Sequence, residues 1–266
     1  MKEKTVFVLV TDQAYMYKAC VTINDLRTIG NWNGDIVLIT IDFDLDDNYK
    51  LTQNIIEAKF PLIDKTHLLN EIGPDGFSNS DKREIHKLNQ WEKFHVFDDY
   101  FLQWDRVAFL DAGLRVLDDV KYLLELDYKN LILAHHEPFF FKDQLSYDNN
   151  EKVELVKEDF GEAIFDSKYM LNCMWIYDTS ILKICNKQQL IDAMNKYTLC
   201  KTNEMGIMNL LFHFKYKLWQ AFPLKTPSGK FFFEWCETCN NFPTTWRDYC
   251  FIKYPVSIAL HERPCL

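Results

Sequence analysis

Apolar runs that stop at a polar residue, each followed by a segment with helical spacing, recur along this chain. Thr5 to Thr11 (TVFVLVT) is continuous and apolar, and the amphipathic stretch Tyr15 to Ile29 follows it at once, which predicts the first strand and helix of a β-α-β unit. Asp35 to Thr40, after the Asn33-Gly34 turn, predicts a second strand. Lys59 to Ile63 predicts a short edge strand, because Pro61 cannot donate to a ladder on both sides. Within Ile85 to Val120, Leu88, Trp91 and Phe94 recur at helical spacing, and Arg106 to Leu110 is a short apolar run that ends in Asp111-Ala112-Gly113. That run predicts a buried strand delivering one carboxylate to the sheet edge.

Further on, Leu114 to Leu126 should cross the end of the sheet, and Leu131 to Ala134 should form a strand leading into His135-His136-Glu137. Phe139-Phe140-Phe141 reads as core, and the polar stretch Tyr147 to Glu158 as an exposed insertion or lid. Leu171 to Asp178 predicts a strand with alternating faces, Thr179-Ser180 a cap for a helix over Ile181 to Tyr197, and Ser257 to His261 a short closing strand. Strands interleaved with helices define an α/β protein.

Composition narrows this. With 266 residues, 48% of them hydrophobic, and only 8 Gly and 8 Pro, the chain can bury a full core and has no linker-like tract, so one domain over residues 1–266 is expected. A formal charge of -9 argues against nucleic acid as the main partner, because phosphate binding needs a basic face. No apolar run approaches the roughly 20 residues that span a bilayer, and Met1 to Lys4 leads straight into a strand-like segment, so a cytoplasmic protein without a membrane span is expected. The 8 cysteines are then expected to remain thiols. Cys236 and Cys239, with Cys250 and Cys265, give a weak zinc signal that lacks a second Cys-x-x-Cys.

Candidate chemistry lies at strand ends. In open α/β sheets ligands sit there, and Asp111 followed by Gly113 suits a diphosphate carrying a divalent cation, although the same stretch also reads as an ordinary strand and turn. Thr11, Asp12 and Tyr15 offer a hydroxyl, a carboxylate and a ring where the first strand ends; Asp12 alternatively caps the helix. His135 and His136, being neighbours in an extended chain, should point to opposite faces, which leaves one of them at most to face the same site as Glu137. No Gly-x-Gly-x-x-Gly or Walker lysine motif follows either early strand, and the acidic loop Asp42 to Asp47 lacks the glycine and terminal glutamate of a calcium loop.

Lys87-Leu88, Trp91, Val107 to Ala112, Val116 and Asp118 together resemble the central block of the glycogenin-like glycosyltransferases, glycosyltransferase family 8. The resemblance implies a GT-A, Rossmann-like domain with a mixed central sheet flanked by helices, in which a Leu-Asp-Ala-Asp strand end, the DxD motif, holds manganese and the donor phosphates. Here Asp111 keeps the first carboxylate and Gly113 replaces the second. Thr11, Asp12 and Tyr15 resemble the family's uridine-contacting block, and Asn172 matches its Asn-Ser-Gly strand, with Met174 in place of the glycine. Glu204 to Phe212 resembles the Asp-Gln-Gly-Ile-Leu-Asn helix start, with Glu204 for the aspartate and Met205 for the glutamine. His261 resembles the family's closing histidine ligand, and Arg263-Pro264 stands for its Lys-Pro.

The resemblance thus implies a retaining glycosyltransferase that moves a hexose from a nucleotide-diphosphate sugar, a UDP-sugar, to a hydroxyl acceptor on a glycan or protein. The alternative is a non-catalytic relative that binds nucleotide or glycan. On this reading Glu204 and Asn172 are catalytic, while Thr11, Asp12, Tyr15, Lys87, Asp111, Ala112, Gly113 and Arg263 bind the donor. Asp111 and His261 hold Mn²⁺ or Mg²⁺, more weakly for want of a carboxylate at Gly113. Homodimerisation is left open.

Overall fold

The structure, a computed structural model, describes residues 3–68, 87–136, 140–144, 150–197, 204–235 and 245–253. Ten strands carry it: β1 Thr5–Asp12, β2 Asp35–Ile41, β3 Ile55–Ala58, β4 Arg106–Leu110, β5 Arg115–Val116, β6 Ile132–His136, β7 Met170–Asp178, β8 Trp219–Ala221, β9 Phe231–Trp235 and β10 Tyr249–Lys253. Seven form a central sheet in the order β3-β2-β1-β4-β7-β6-β8, and β5, β10 and β9 form a smaller one. β1 runs parallel to both β2 and β4, whereas β7 is antiparallel to β4 and β6, so the sheet is mixed as expected.

The apolar runs become strands because both faces of the sheet are covered. Val6 to Leu9 and Val107 to Leu110 have no solvent exposure, and continuous apolar sequence is what such doubly buried strands require. Helix α1, Met16–Thr28, packs on β1 through Ala19, Ile23 and Leu26. From β1 the chain passes to β2 on one side, and β4 later joins on the other, so the order reverses between β1 and β4. Both strands point their carboxyl ends to the same edge there, which is where open α/β sheets bind ligands.

Across that edge lies a 3-10 helix, Lys87–Phe97. A 3-10 helix eclipses side chains three apart, and Trp91, Phe94 and Phe97 are buried along one such row. The helical spacing of Leu88, Trp91 and Phe94, three apart throughout, corresponds to this tighter helix.

Other departures have local causes. The edge strand is Ile55–Ala58, not Lys59 to Ile63: Asn54 takes a left-handed conformation, ends helix Asp47–Gln53, and starts the strand at once. Tyr147 to Glu158 is not an exposed lid over its described part. Residues Asn150–Phe160 form a helix whose Val153 and Val156 are buried, a short apolar stripe within a charged sequence. β7 does not alternate; it is buried on both faces because β4 and β6 flank it and helices cover it. The segment after β7 divides into a 3-10 turn, Thr179–Lys183, capped by Asp178, and an α-helix, Lys187–Lys196, capped by Asn186 with Gln189 in a capping box. Of the phenylalanine triplet, Phe141 is buried and Phe140 is 42% exposed.

His135 and His136 do not point apart. A bulge lies between Ala134 and His136, and the rings stack with centroids 5.3 Å apart; the irregular register breaks the two-residue alternation. Glu137 and the Cys236, Cys239 and Cys265 positions lie outside the described residues. Among those described, Cys20, Cys173, Cys185 and Cys250 form no disulfide, and no helix is long and apolar enough to cross a membrane.

Burial, and then the neighbouring His136, push the His135 imidazole down to about 4. The folded state therefore resists a proton that the unfolded chain accepts near 6.5, and stability should fall as pH drops from about 6.5 to 4. His135→Gln should remove roughly 2 kcal/mol of that loss. Chemical denaturation at pH 7 and pH 4.5 checks this; equal pH sensitivity in the two proteins would exclude His135 as its source.

Candidate active site

The site is assembled at the carboxyl edge of β1 and β4. Asp111 leaves β4 with its backbone N–H donating to the Cys173 carbonyl of β7 at 2.9 Å. Because β7 is antiparallel to β4, its first residues lie at the same edge, and Asn172 comes beside Asp111. Gly113 follows with φ +86°, a left-handed conformation natural to glycine. Thr22 of α1 fixes this turn, accepting from the Gly113 N–H at 3.0 Å and donating to the Leu114 carbonyl at 2.8 Å. One helical turn later, Asp25 accepts from the Arg115 guanidinium at 2.5 and 3.2 Å.

At the centre is a residue that the sequence reading passed over. Lys93, on the 3-10 helix, is 8% exposed. Its ammonium lies 2.9 Å from Asp111 Oδ1 and 2.9 Å from Glu204 Oε1, 3.5 Å from the Asn172 carbonyl, and 5.6 Å from the centre of the Phe109 ring. Asn172 Nδ2 donates to the same Glu204 oxygen at 2.6 Å. Glu204 opens helix Glu204–Met208 and is 1% exposed; its Oε2 is buried and has no hydrogen-bond partner among the described residues. That helix is in turn tied to β7. Asn209, fully buried, accepts from the Met170 N–H at 2.7 Å and donates to the Met170 and Met205 carbonyls at 2.9 Å.

Electrostatics follow from this burial. Desolvation by itself would lower the Lys93 ammonium, but Asp111 and Glu204 outweigh it and hold it above its ordinary value. Desolvation raises the Glu204 carboxyl, with Lys93 pulling against it. A second cation meets Asp111 from the smaller sheet: Lys253, closing β10, lies 3.5 Å from Asp111 Oδ2 and donates to the Ala112 carbonyl at 2.8 Å.

The expected nucleoside platform lies alongside. Asp12 Oδ1 accepts from the Tyr15 N–H at 2.9 Å, so it caps the 3-10 turn Gln13–Tyr15 that leads into α1 and not α1 itself, while its Oδ2 accepts from Asn89 at 2.8 Å. Asn89 and Lys93 are four positions apart on the 3-10 helix, which thereby links the end of β1 to the end of β4. Thr11 is buried, with its hydroxyl on the Asp12 carbonyl. Lys18 lies 4.9 Å over the Tyr15 ring. Met174, opposite Leu110 in the ladder, is fully buried.

Asp111, Asn172 and Glu204, read from three separate blocks, are therefore brought into one cluster. Thr11, Asp12 and Tyr15 close the adjacent strand, and Ala112 and Gly113 form the turn. Lys87 is the first residue of the 3-10 helix, but its side chain, with His261 and Arg263, lies outside what is described. Lys93, Lys253 and Asn89 were missed. The signal for Lys93 was a lysine between Trp91 and Phe94, since a cation inside an apolar stretch demands carboxylates from elsewhere in the chain. Lys253 ends an apolar run much as Asp111 does.

The described donors do not fit a divalent cation. Both Asp111 oxygens face ammonium groups. Asp118, a conceivable extra ligand, pairs with Lys230 at 3.0 Å. Among the described residues no three His, Cys, Asp or Glu side chains gather as a metal-binding group. Two hollows lie apart from Asp111, one of about 550 Å³ beside Pro61, His95 and Lys187, the other of about 610 Å³ beside Phe160, Tyr197 and Tyr216. Neither is lined by Asp111, Asn172 or Glu204, so their volume is no reason to move the chemistry there.

No protein-family model matches the chain, and no curated relative does. Solved structures do. Galactosyltransferase LgtC, in complex with donor and acceptor sugar analogs, superposes with a TM-score of 0.60 at 14% identity, covering 94% of this chain and 86% of that one. Core-mannan synthase A (CmsA/Ktr4) from Aspergillus fumigatus, in a Mn/GDP form, gives 0.53 at 10% identity over 83% of this chain and 73% of that one. GlyE from Streptococcus pneumoniae TIGR4 gives 0.51 at 16% identity over 84% of this chain but 45% of that one, so the chain spans about half the length of GlyE. At these identities the likeness establishes the fold: a mixed α/β architecture of the GT-A glycosyltransferase type.

Two stability outcomes follow. Lys93→Met should cost about 3–5 kcal/mol, because it strands the buried Glu204 carboxylate and takes one of two cations from the half-buried Asp111. Adding Glu204→Met should recover a clear part of that loss, a non-additivity measured by denaturant titration of the four proteins of the cycle; strictly additive losses would mean the pair is not coupled. Gly113→Asp should cost about 1–3 kcal/mol by the same titration, since φ +86° strains a side chain there and a Cβ would meet Lys18 Cδ at 3.3 Å. An unchanged stability would contradict this turn geometry.

Proposed function

We propose that the protein is a glycosyltransferase, of the family 8 type in its site, acting as one domain over residues 1–266 and using a nucleotide-diphosphate hexose, a UDP-sugar, as donor. The observation that carries this reading is the convergence of Asp111, Asn172 and Glu204 on Lys93 at the switch point of a GT-A sheet. Three polar blocks far apart in sequence, each resembling a donor-site block, share one cluster. Burial of Lys93 accounts for the pairing of the acids, and the place of that cluster at the ligand-binding edge supports a donor site.

Each group has a chemical task in this reading. Thr11, Asp12 and Tyr15 hold the nucleoside at the end of β1, and the Asp111-Ala112-Gly113 turn receives the diphosphate, with Lys87 and Arg263 as further expected phosphate contacts. Glu204 and Asn172 orient the hexose. The orphaned Glu204 Oε2 is a buried acceptor that a sugar hydroxyl would satisfy, and buried polar atoms left unpaired are costly. In the transfer, the bond from the anomeric carbon to the diphosphate oxygen breaks and the electron pair leaves with the diphosphate. The acceptor hydroxyl oxygen bonds to the anomeric carbon, and its proton passes to the departing phosphate. Retention of configuration follows from the family resemblance. Stabilising negative charge on the leaving diphosphate is the largest demand on the protein.

Incubation with UDP-glucose, UDP-galactose and GDP-mannose, with and without added Mn²⁺, followed by assay of released nucleoside diphosphate, tests the reading. Release is expected from a UDP-sugar, and Asp111→Asn or Glu204→Gln should lower it by roughly 10²-fold while remaining folded by circular dichroism. Binding of donor with no release from any of the three would instead identify a non-catalytic relative.

A further inference from the structure

We infer that lysine side chains, Lys253 foremost, supply the positive charge that a divalent cation would otherwise bring to the donor diphosphate at the Asp111 turn. This rests on the transferase reading and deepens it.

The first observation is the state of Asp111. Its Oδ1 lies 2.9 Å from the Lys93 ammonium and its Oδ2 3.5 Å from the Lys253 ammonium. Each Asp111 oxygen keeps a lone pair, but Mn²⁺ taking one would sit close to both ammonium groups, like charges brought together in a partly buried site. Displacing Lys93 would also leave Glu204 without its cation.

The second observation is the place where a second carboxylate would stand. Gly113 has φ +86°, and the space beside its Cα is filled by the Lys18 chain, with Cδ 3.3 Å and Cβ 3.5 Å from where a Cβ would be. An acid is therefore missing, and basic side chains crowd the same turn: Lys18 over it, Lys253 at its edge and Lys93 beneath.

The third observation is the geometry of Lys253. An ammonium has three N–H donors. One goes to the Ala112 carbonyl at 2.8 Å and one faces Asp111, which leaves a third for a phosphate oxygen. The side chain is 15% exposed, so the charge is held in place by its two partners and is still within reach of a ligand. Charge-assisted bonds of this kind are strong in a partly desolvated site, and a lysine acts on phosphate as a point charge. During transfer the ammonium would stabilise the diphosphate as the electron pair moves onto it, without itself changing protonation.

Isothermal titration calorimetry of the full chain with UDP, GDP and inorganic pyrophosphate, in excess EDTA and again in millimolar Mn²⁺, tests this. UDP is expected to bind in EDTA with a Kd within about twofold of that in Mn²⁺, and to weaken as NaCl is raised. Lys253→Ala should weaken UDP about tenfold or more in EDTA. Lys253→Gln, which can keep the Ala112 hydrogen bond but not the charge, should show the same loss with its melting temperature preserved. UDP binding that appears only with Mn²⁺, or Lys253 variants that bind as the wild type does, would overturn the inference and leave the transferase reading standing. Absence of binding by UDP and GDP in both conditions would overturn the transferase reading, and this inference with it.

Discussion

The ammonium of Lys93, enclosed between the carboxylates of Asp111 and Glu204, is the constraint on which the site depends. A charge in that position costs several kcal/mol of desolvation, which only close opposite charges can offset. Those charges come from the end of β4 and from the start of helix Glu204–Met208, while Asn172 at the start of β7 bonds the same glutamate. Four elements far apart in the chain must therefore arrive together. Such a buried ion group is poor evidence of added stability compared with apolar packing. Its effect is to fix geometry, holding two acids and an amide at one sheet edge in one arrangement.

Around this group the surrounding contacts are all positioning contacts. Thr22 and Asp25 of α1 clamp the turn after β4, Asn209 clamps the start of β7, and Lys253 brings the smaller sheet against the Ala112 carbonyl. Asn89 carries the 3-10 helix over to Asp12 at the end of β1. The consequence is a turn whose backbone is specified from three sides, as the proposed diphosphate site would require.

Much of the framework was legible in the sequence. β1, β2 and β4 are continuous apolar runs because they are buried on both faces, and Asp111 could be singled out because it closes such a run, whereas Asn172 and Glu204 were singled out through the family resemblance. What could not be read was long-range or irregular. Lys93 could not be picked out, since its partners stand 18 and 111 positions away in the numbering. The bulge that stacks His135 on His136, the left-handed Asn54 that advances the edge strand, and the Val153 and Val156 stripe within a charged helix each depart from the regular pattern that the sequence suggests. The family resemblance supplied the order of the blocks, while the contacts that join them came from the fold.

The central claim is that a nucleoside diphosphate binds at the turn after β4 and the end of β1. Amide hydrogen exchange measured by mass spectrometry, with and without saturating UDP, tests it most directly. The account predicts slower exchange in peptides covering Asp12 to Met16, Asn89 to Lys93 and Asp111 to Leu114. Slowing confined to peptides around the hollows beside Pro61 or Tyr197, with the Asp111 turn unchanged, would contradict it.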